Sequence, residues 1–397
     1  MMVARRRYYT GNDVNRAVTI ADLQAMAHRR LPAFVTEYLE GGAEDEWTLR
    51  RNRSVFSEIE FRPSTLTGVG TPDLSTTILG QRMPLPFIIA PTGFNGLLCH
   101  EGDRLLAQAA ARARVTFTQS TVSSMRIEDL SGIADLSRWM QLYVFRSQHF
   151  IDELVGRAEK AGCQALMVTT DAATFGNREW DRRNYARGMD PTLRNKLDVL
   201  CHPRWALTVM ARGIPPFGNL LDFLPADQRS FARTATWSRE QVEPALDWNH
   251  IRHLRDIWKR PLILKGVMTL RDAEGAADAG VDGIVISNHG GRQLDGSPSP
   301  MSVLPKIAPT LKGRIAILAD SGFRRGTDFV KALSLGADAV LVGRATLYGL
   351  AAGGEAGAAR AIAILEEEIR RTMALIGCRS IAELGSHHVS SRPASEL

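Results

Sequence analysis

Eight short apolar runs constrain this chain more than any other feature: residues 87–90, 115–118, 139–143, 165–169, 261–265, 283–287, 315–320 and 339–342. Runs of this length, apolar throughout rather than alternating, read as parallel strands buried on both faces. Amphipathic helical segments lie between most of them, among them 102–113, 150–161, 270–279 and 327–335, several closed by glycine. Alternating β and α units of this number predict an α/β fold, a (β/α)8 TIM barrel. A doubly wound sheet would need a Gly-x-Gly-x-x-Gly turn after its first strand. Here that turn is Pro91-Thr92-Gly93-Phe94.

The residues that end the runs carry polar chemistry. In order they are Pro91-Thr92-Gly93, Ser120, Gln141 with Tyr143, Thr169 with Asp171, Lys265, Ser287 with His289, Asp320, and Gly343-Arg344. Any one of these alone reads as a cap or a turn residue. In a barrel all eight ends converge on one mouth, where such folds keep their active sites.

The sharpest segment is Ser287-Asn288-His289-Gly290-Gly291-Arg292-Gln293-Leu294-Asp295-Gly296, which sets an imidazole and a guanidinium three residues apart at a strand end. After the fourth run comes Thr-x-Asp-x-x-x-x-Gly-x-Arg-x-x-Asp, from Thr169 through Asp171 and Arg178 to Asp181. A histidine that takes a proton is helped by a carboxylate that fixes its ring, and Asp171 is the candidate. An isolated Asp there would more often make an Asx-turn. Two arginines with a tyrosine phenol suit a small carboxylic acid. Since no side chain accepts two electrons, an oxidation would need a cofactor. Asp320-Ser321-Gly322-Phe323-Arg324 and Gly343-Arg344 lie where barrels bind phosphate, and Lys265 could face the electron-rich edge of a bound ring. A Schiff-base role for Lys265 competes.

With 397 residues, the chain exceeds the roughly 250 of a typical barrel. One domain, 1–397, is expected, with an N-terminal helical region at 18–55 and a long insertion, 182–239, between strands four and five. The net charge of +6 is concentrated in that insertion, which holds ten Arg or Lys and four Asp interleaved with apolar stretches. It reads equally as a membrane-docking segment, a solvated lid or a subunit contact. Nucleic acid is not expected, for no binding motif accompanies the charge. Cys99, Cys163, Cys201 and Cys378 are too dispersed for a metal site or a disulfide framework, so no metal is expected. No apolar h-region follows Arg5-Arg6-Arg7 and no run would span a membrane, so a cytoplasmic location is expected.

The Ser-Asn-His-Gly-Gly-Arg-Gln signature resembles that of the FMN-dependent 2-hydroxy acid dehydrogenase and oxidase family, and the likeness runs from about Ala21 to Leu384. Within it the chain is most similar to the membrane-associated (S)-mandelate dehydrogenases, then to the L-lactate dehydrogenases. Tyr38-Leu39-Glu40-Gly41-Gly42, Cys201-His202-Pro203-Arg204-Trp205 and Arg344-Ala345-Thr346-Leu347-Tyr348-Gly349-Leu350 carry that closer likeness. The resemblance implies His289 as base, Asp171 as its partner, Tyr143 at the substrate hydroxyl, Arg292 and Tyr38 at the substrate carboxylate, and Arg178 beside them. For FMN it implies Pro91, Thr92, Gly93, Ser120, Gln141, Thr169, Lys265, Ser287, Asp320, Gly322, Arg324, Gly343 and Arg344. The product would be a 2-oxo acid, formed by either a carbanion or a hydride route. Gly93, where the oxidases commonly carry Ala, resembles the dehydrogenases, which pass electrons to a quinone or another acceptor. A peroxide-forming oxidase is the alternative. The resemblance further implies a homotetramer and, through 188–238, peripheral contact with the inner face of the cytoplasmic membrane. Phe94, Val122 and Phe175 are expected to wall the substrate pocket.

Overall fold

The computed structural model describes residues 7–187, 190–213, 215–224, 229 and 231–392. The eight apolar runs form β1 (Phe87–Thr92), β2 (Phe117–Ser120), β3 (Arg138–Tyr143), β4 (Ala165–Thr169), β5 (Leu262–Val267), β6 (Gly283–Ile286), β7 (Ala316–Ala319) and β8 (Ala339–Val342). They pair in parallel in sequence order and close with β8 against β1. Period-two alternation divides their side chains between two cores. Ile88, Trp139, Met167, Ile263, Val285, Leu318 and Leu341 fill the barrel interior. Their neighbours Ile89, Leu142, Val168, Leu264, Ile284 and Val340 pack beneath the helices. A hairpin, Thr76–Ile78 with Gln81–Met83, adds Ile78 and Met83 to the interior core. Gln81 Nε2 ties it to Ser137 Oγ at 2.7 Å, just ahead of β3.

The N-terminal region forms α1 (Ile20–Arg30), α2 (Ala33–Glu40) and α3 (Trp47–Ser54). A capping box between Thr19 and Asp22 starts α1. The outer ring holds α4 (Gly102–Ala113) and α5 (Gln148–Lys160). The insertion supplies α6 (Leu193–Leu200), α7 (Pro203–Thr208) and α8 (Phe231–Gln241). The ring resumes with α9 (Trp248–Ile257), α10 (Leu270–Asp278), α11 (Pro300–Leu311), α12 (Gly326–Ser334) and α13 (Arg344–Ile376), the last kinked at Gly353 and Gly354.

One unit departs from strict alternation. Between β2 and β3 the chain makes only a 3-10 turn, Glu128–Leu130. The insertion covers that position instead: Asn219 Oδ1 accepts from Ile127 N at 2.7 Å, and its amide donates to Ser120 O at 3.1 Å. The insertion also packs on the N-terminal helices, with Phe34 edge-on to Trp205 at 5.7 Å and Asp198 accepting from Ala33 N at 2.7 Å. The two additions together wall the barrel mouth. No helix among the described residues is long and apolar enough to cross a membrane.

Candidate active site

At the C-terminal ends of the strands, one pocket is lined by Tyr38, Pro91, Thr92, Gly93, Ser120, Tyr143, Arg178, Lys265, His289, Arg292, Asp320, Gly322, Arg324, Gly343 and Arg344. Gln141, Thr169 and Ser287 lie buried beneath it and link its floor by hydrogen bonds. Ser120 Oγ donates to Gln141 Oε1 at 2.9 Å, and Gln141 Nε2 donates to Thr169 Oγ1 at 2.9 Å. Lys265 Nζ donates to Ser287 Oγ at 3.1 Å and stands 3.6 Å from Asp320. The residues assigned above to the base, the substrate clamp and FMN therefore fall in or directly under one site, whereas Phe94, expected in the substrate wall, and Asp181 line a neighbouring cavity instead.

Asp171 Oδ1 lies 2.9 Å from His289 Nδ1. This contact turns the other ring nitrogen, Nε2, away from the carboxylate. The close approach depends on Gly266, with φ +108°, because a Cβ there would come within 2.7 Å of the Asp171 Cβ. Gln293 adds support: its amide donates to Asp171 O at 2.8 Å while its Oε1 accepts from Gly176 N at 3.0 Å. His289 itself sits at φ +59°, a left-handed backbone conformation held by the hydrogen bond from its N–H to Ser287 Oγ.

Burial and then Lys265 hold the His289 ring below its ordinary pKa, against the opposing pull of Asp171. That favours the neutral ring, the form able to accept a proton. Burial works to raise the Asp171 carboxyl, but His289 and Lys265 outweigh it and leave it lowered. Burial likewise opposes the Lys265 charge, yet Asp320, Asp171 and Tyr143 together raise its ammonium. Two carboxylates thus stabilise one buried cation.

Arg292 and Arg178 converge from the β6 and β4 loops. Arg292 lies over the Tyr38 ring at 5.5 Å and donates to Gly41 O at 2.6 Å. Burial, then Arg178 and Arg344, push the Arg292 guanidinium below its ordinary value. Cations crowded in this way are relieved when an anion binds. Tyr38 Oη donates to Gly93 O at 3.0 Å. A Cβ at Gly93 would come within 2.5 Å of Val122 Cγ2, so a larger residue there would have to displace that side chain. On the far side, Arg344 donates to the carbonyls of Leu39 and Gly290, each at 2.9 Å, and Arg324 lies over the Tyr348 ring.

Several supporting residues carried no signal of their own in the sequence. Asn52 and Asn288 form a reciprocal buried amide pair, both bonds 2.8 Å. Asp295 caps α3 through Thr48 N at 2.7 Å and Trp47 N at 3.2 Å. Glu40 gathers Gln24, His28 and the Tyr348 hydroxyl. Burial works against the charged carboxylate, but these hydrogen bonds prevail and hold it down to about 2. Asn288 and Asp295 fall within the 287–296 segment and Glu40 within 38–42, but most of their partners lie far off in the chain, so the pairings themselves are not readable from it.

The chain matches the family described as FMN-dependent dehydrogenase over residues 27–391. It is 42% identical to the (S)-mandelate dehydrogenase of Pseudomonas putida, over 94% of this chain and 93% of that protein. It is 40% identical to the L-lactate dehydrogenase of Ectopseudomonas mendocina, over 92% and 96% respectively. The crystal structure of the monotopic membrane protein (S)-mandelate dehydrogenase superposes with a TM-score of 0.91 at 41% identity, covering 95% of this chain and 100% of that one. This chain belongs to the FMN-dependent dehydrogenase family, and FMN is its cofactor. The pocket fits such a group: it offers a floor of polar side chains, a buried cation, and the Thr92 hydroxyl, which is buried without a hydrogen-bond partner.

Proposed function

We propose that this enzyme oxidises an (S)-2-hydroxy acid, (S)-mandelate first among them, to the 2-oxo acid and passes the electrons to a membrane quinone. The observation that carries the reading is the 2.9 Å Asp171–His289 pair opening into the same pocket as Arg292, Arg178 and Tyr38. Arg292 and Arg178 hold the substrate carboxylate, with Tyr38 beside them, and fix the α-carbon near His289. His289 takes the proton, from the α-carbon or from the hydroxyl, and Asp171 stabilises the imidazolium that results. Tyr143 contacts the substrate hydroxyl. FMN, when bound, supplies the two-electron acceptor. Lys265, Ser120, Gln141, Thr169 and Ser287 would hold its ring from below, and Lys265 gives a positive charge to meet the reduced form. Pro91, Thr92 and Gly93 would flank the ring, while Asp320, Gly322, Arg324, Gly343 and Arg344 would hold the ribityl and phosphate end.

An aryl side chain is favoured by the wall that receives it. Val122 and Phe175 line the pocket, and the Phe175 ring stands 6.0 Å from that of Tyr143. L-Lactate is the second reading, supported by the 40% relative. Anaerobic mixing with each acid, following loss of the oxidised flavin band, separates them. Faster bleaching by (S)-mandelate is the expected result; faster bleaching by L-lactate moves the assignment, and bleaching by neither removes it.

The whole chain acts as one domain and assembles as a homotetramer, which light scattering of the purified enzyme tests. It docks peripherally on the inner face of the cytoplasmic membrane through the insertion. The support is an apolar face on α6, where Leu193, Leu197 and Leu200 are 73%, 57% and 74% exposed, one turn apart, beside Arg194 and Lys196. Replacing the three leucines by Glu is expected to abolish co-sedimentation with anionic liposomes while leaving flavin reduction by the hydroxy acid intact. Undiminished co-sedimentation would remove this surface from the proposal.

A further inference from the structure

Beyond the substrate pocket lies a second, larger cavity of about 520 Å³ between the barrel mouth and the insertion. Phe34, Phe94, Val199, Trp205, Phe217 and Ala235 give it an apolar wall drawn from both additions and from the loop after β1. The rings are firmly set: Phe94 stacks on Phe217 at 5.1 Å, and Trp205 Nε1 donates to Leu97 O at 2.8 Å, so that indole is satisfied and offers hydrocarbon to the cavity. The inner end is shared with the substrate pocket, through Tyr38, Val122, Phe175 and Arg178. At the outer end are Lys196, Leu200 and Met210, all exposed, so the cavity opens within the apolar α6 face. One polar feature stands out inside. Asp181 Oδ1 is buried without a hydrogen-bond partner, and burial raises that carboxyl above its ordinary value.

We propose that this chamber binds the quinone acceptor, which enters from the lipid at the α6 face and places its ring at the Tyr38, Phe175 and Arg178 end. The inference rests on the hydroxy acid dehydrogenase reading and gives its electron acceptor a place. A soluble hydroxy acid needs neither an apolar door nor a cavity several times larger than one phenyl ring. An amphiphile with a flat polar head and a hydrocarbon tail uses both. Its ring oxygens meet Arg178 and the Asp181 carboxyl, and its tail lies along the aromatic wall toward the exposed leucines. Ring and tail thus span the distance from membrane surface to reaction site; Arg178 lies at the junction of the two cavities, while Arg292 lines the substrate pocket alone.

The test is photolabelling of the FMN-loaded enzyme with a short-tailed azido-quinone, followed by peptide mapping, alongside anaerobic flavin reduction by (S)-mandelate. Label is expected on the segments around Val199, Trp205 and Phe217. Ala235→Trp, which fills the chamber, should cut labelling at least tenfold. Leu200→Glu, at the exposed rim where folding is not at stake, should cut it about threefold or more. Reduction by (S)-mandelate should change less than twofold in both. Label elsewhere, or labelling unchanged in both variants, would overturn the proposal. So would a raised KM for (S)-mandelate with labelling intact, which would make the chamber the pocket for the acid's side chain. Chamber labelling in an enzyme that no 2-hydroxy acid reduces would uphold the quinone site and remove the substrate assignment alone.

Discussion

Replacing His289 by Gln is expected to lower the rate of flavin reduction about 10³-fold, within the range that a positioned general base contributes. FMN should remain bound. The side chains that would hold it, from Ser120 and Gln141 to Lys265 and Arg324, take no hydrogen bond from the imidazole ring. The ring's own contact is to Asp171, at 2.9 Å. Glutamine can still bond to that carboxylate, but it cannot accept a proton near neutral pH. Stopped-flow bleaching of the yellow variant with (S)-mandelate measures the effect, and wild-type-like bleaching would take the base role from His289.

Lys265→Met is expected to be nearly as damaging, slowing flavin reduction about 10²- to 10³-fold, because it removes a preplaced cation from where negative charge develops. It also leaves Asp320, 3.6 Å away, without its buried counter-charge. Breaking such a pair costs about 3–5 kcal/mol if the carboxylate stays ionised. FMN affinity and thermal stability should both fall. A second signature separates this effect from general damage. Lys265 is one of the groups that hold the His289 ring below its ordinary value, whereas Asp171 pulls it upward. The acidic limb of kcat/KM, which reports deprotonation of the base in the free enzyme, should therefore move to higher pH in Lys265→Met. It should move to lower pH in Asp171→Asn. Shifts in the same direction in both variants would show that the limb does not belong to His289.

The barrel was legible because strands buried on both faces must be apolar throughout, and parallel strands must point their ends one way. That geometry let polar residues from positions 91 to 344 be read as one site before any contact was known. Asp171 and His289 announced themselves through position at strand ends. Asn52, Asp295 and Glu40 did not, because an amide or carboxylate in a helix or turn has many ordinary uses, and its partner lies far off in the sequence. The insertion was the least legible part. Its charge and apolar content were plain, but helices α6 and α7 are short, and their buried sides face a cavity and two other helices rather than a uniform core. Composition gave the character of that wall and not its shape. Phe94, Val122 and Phe175 were expected beside the substrate; Val122 and Phe175 line both cavities, while Phe94 belongs to the chamber.

The amide pair between Asn52 and Asn288 has a consequence for how the protein is made. Its two members are separated by 236 residues. At translation speeds of about 5–20 residues per second, α3 leaves the ribosome roughly 10–50 s before the loop it supports. Helix α1 waits longer still, for it packs on α13. During that interval Leu23 on α1 and Leu39 on α2, both buried in the finished molecule, lack α13, part of the surface that covers those helices. The nascent chain therefore carries exposed hydrocarbon at its leading end until the barrel closes, a target for chaperones that ride on the ribosome. Catalytic competence arrives at once and late, when the last third of the polypeptide reaches the first.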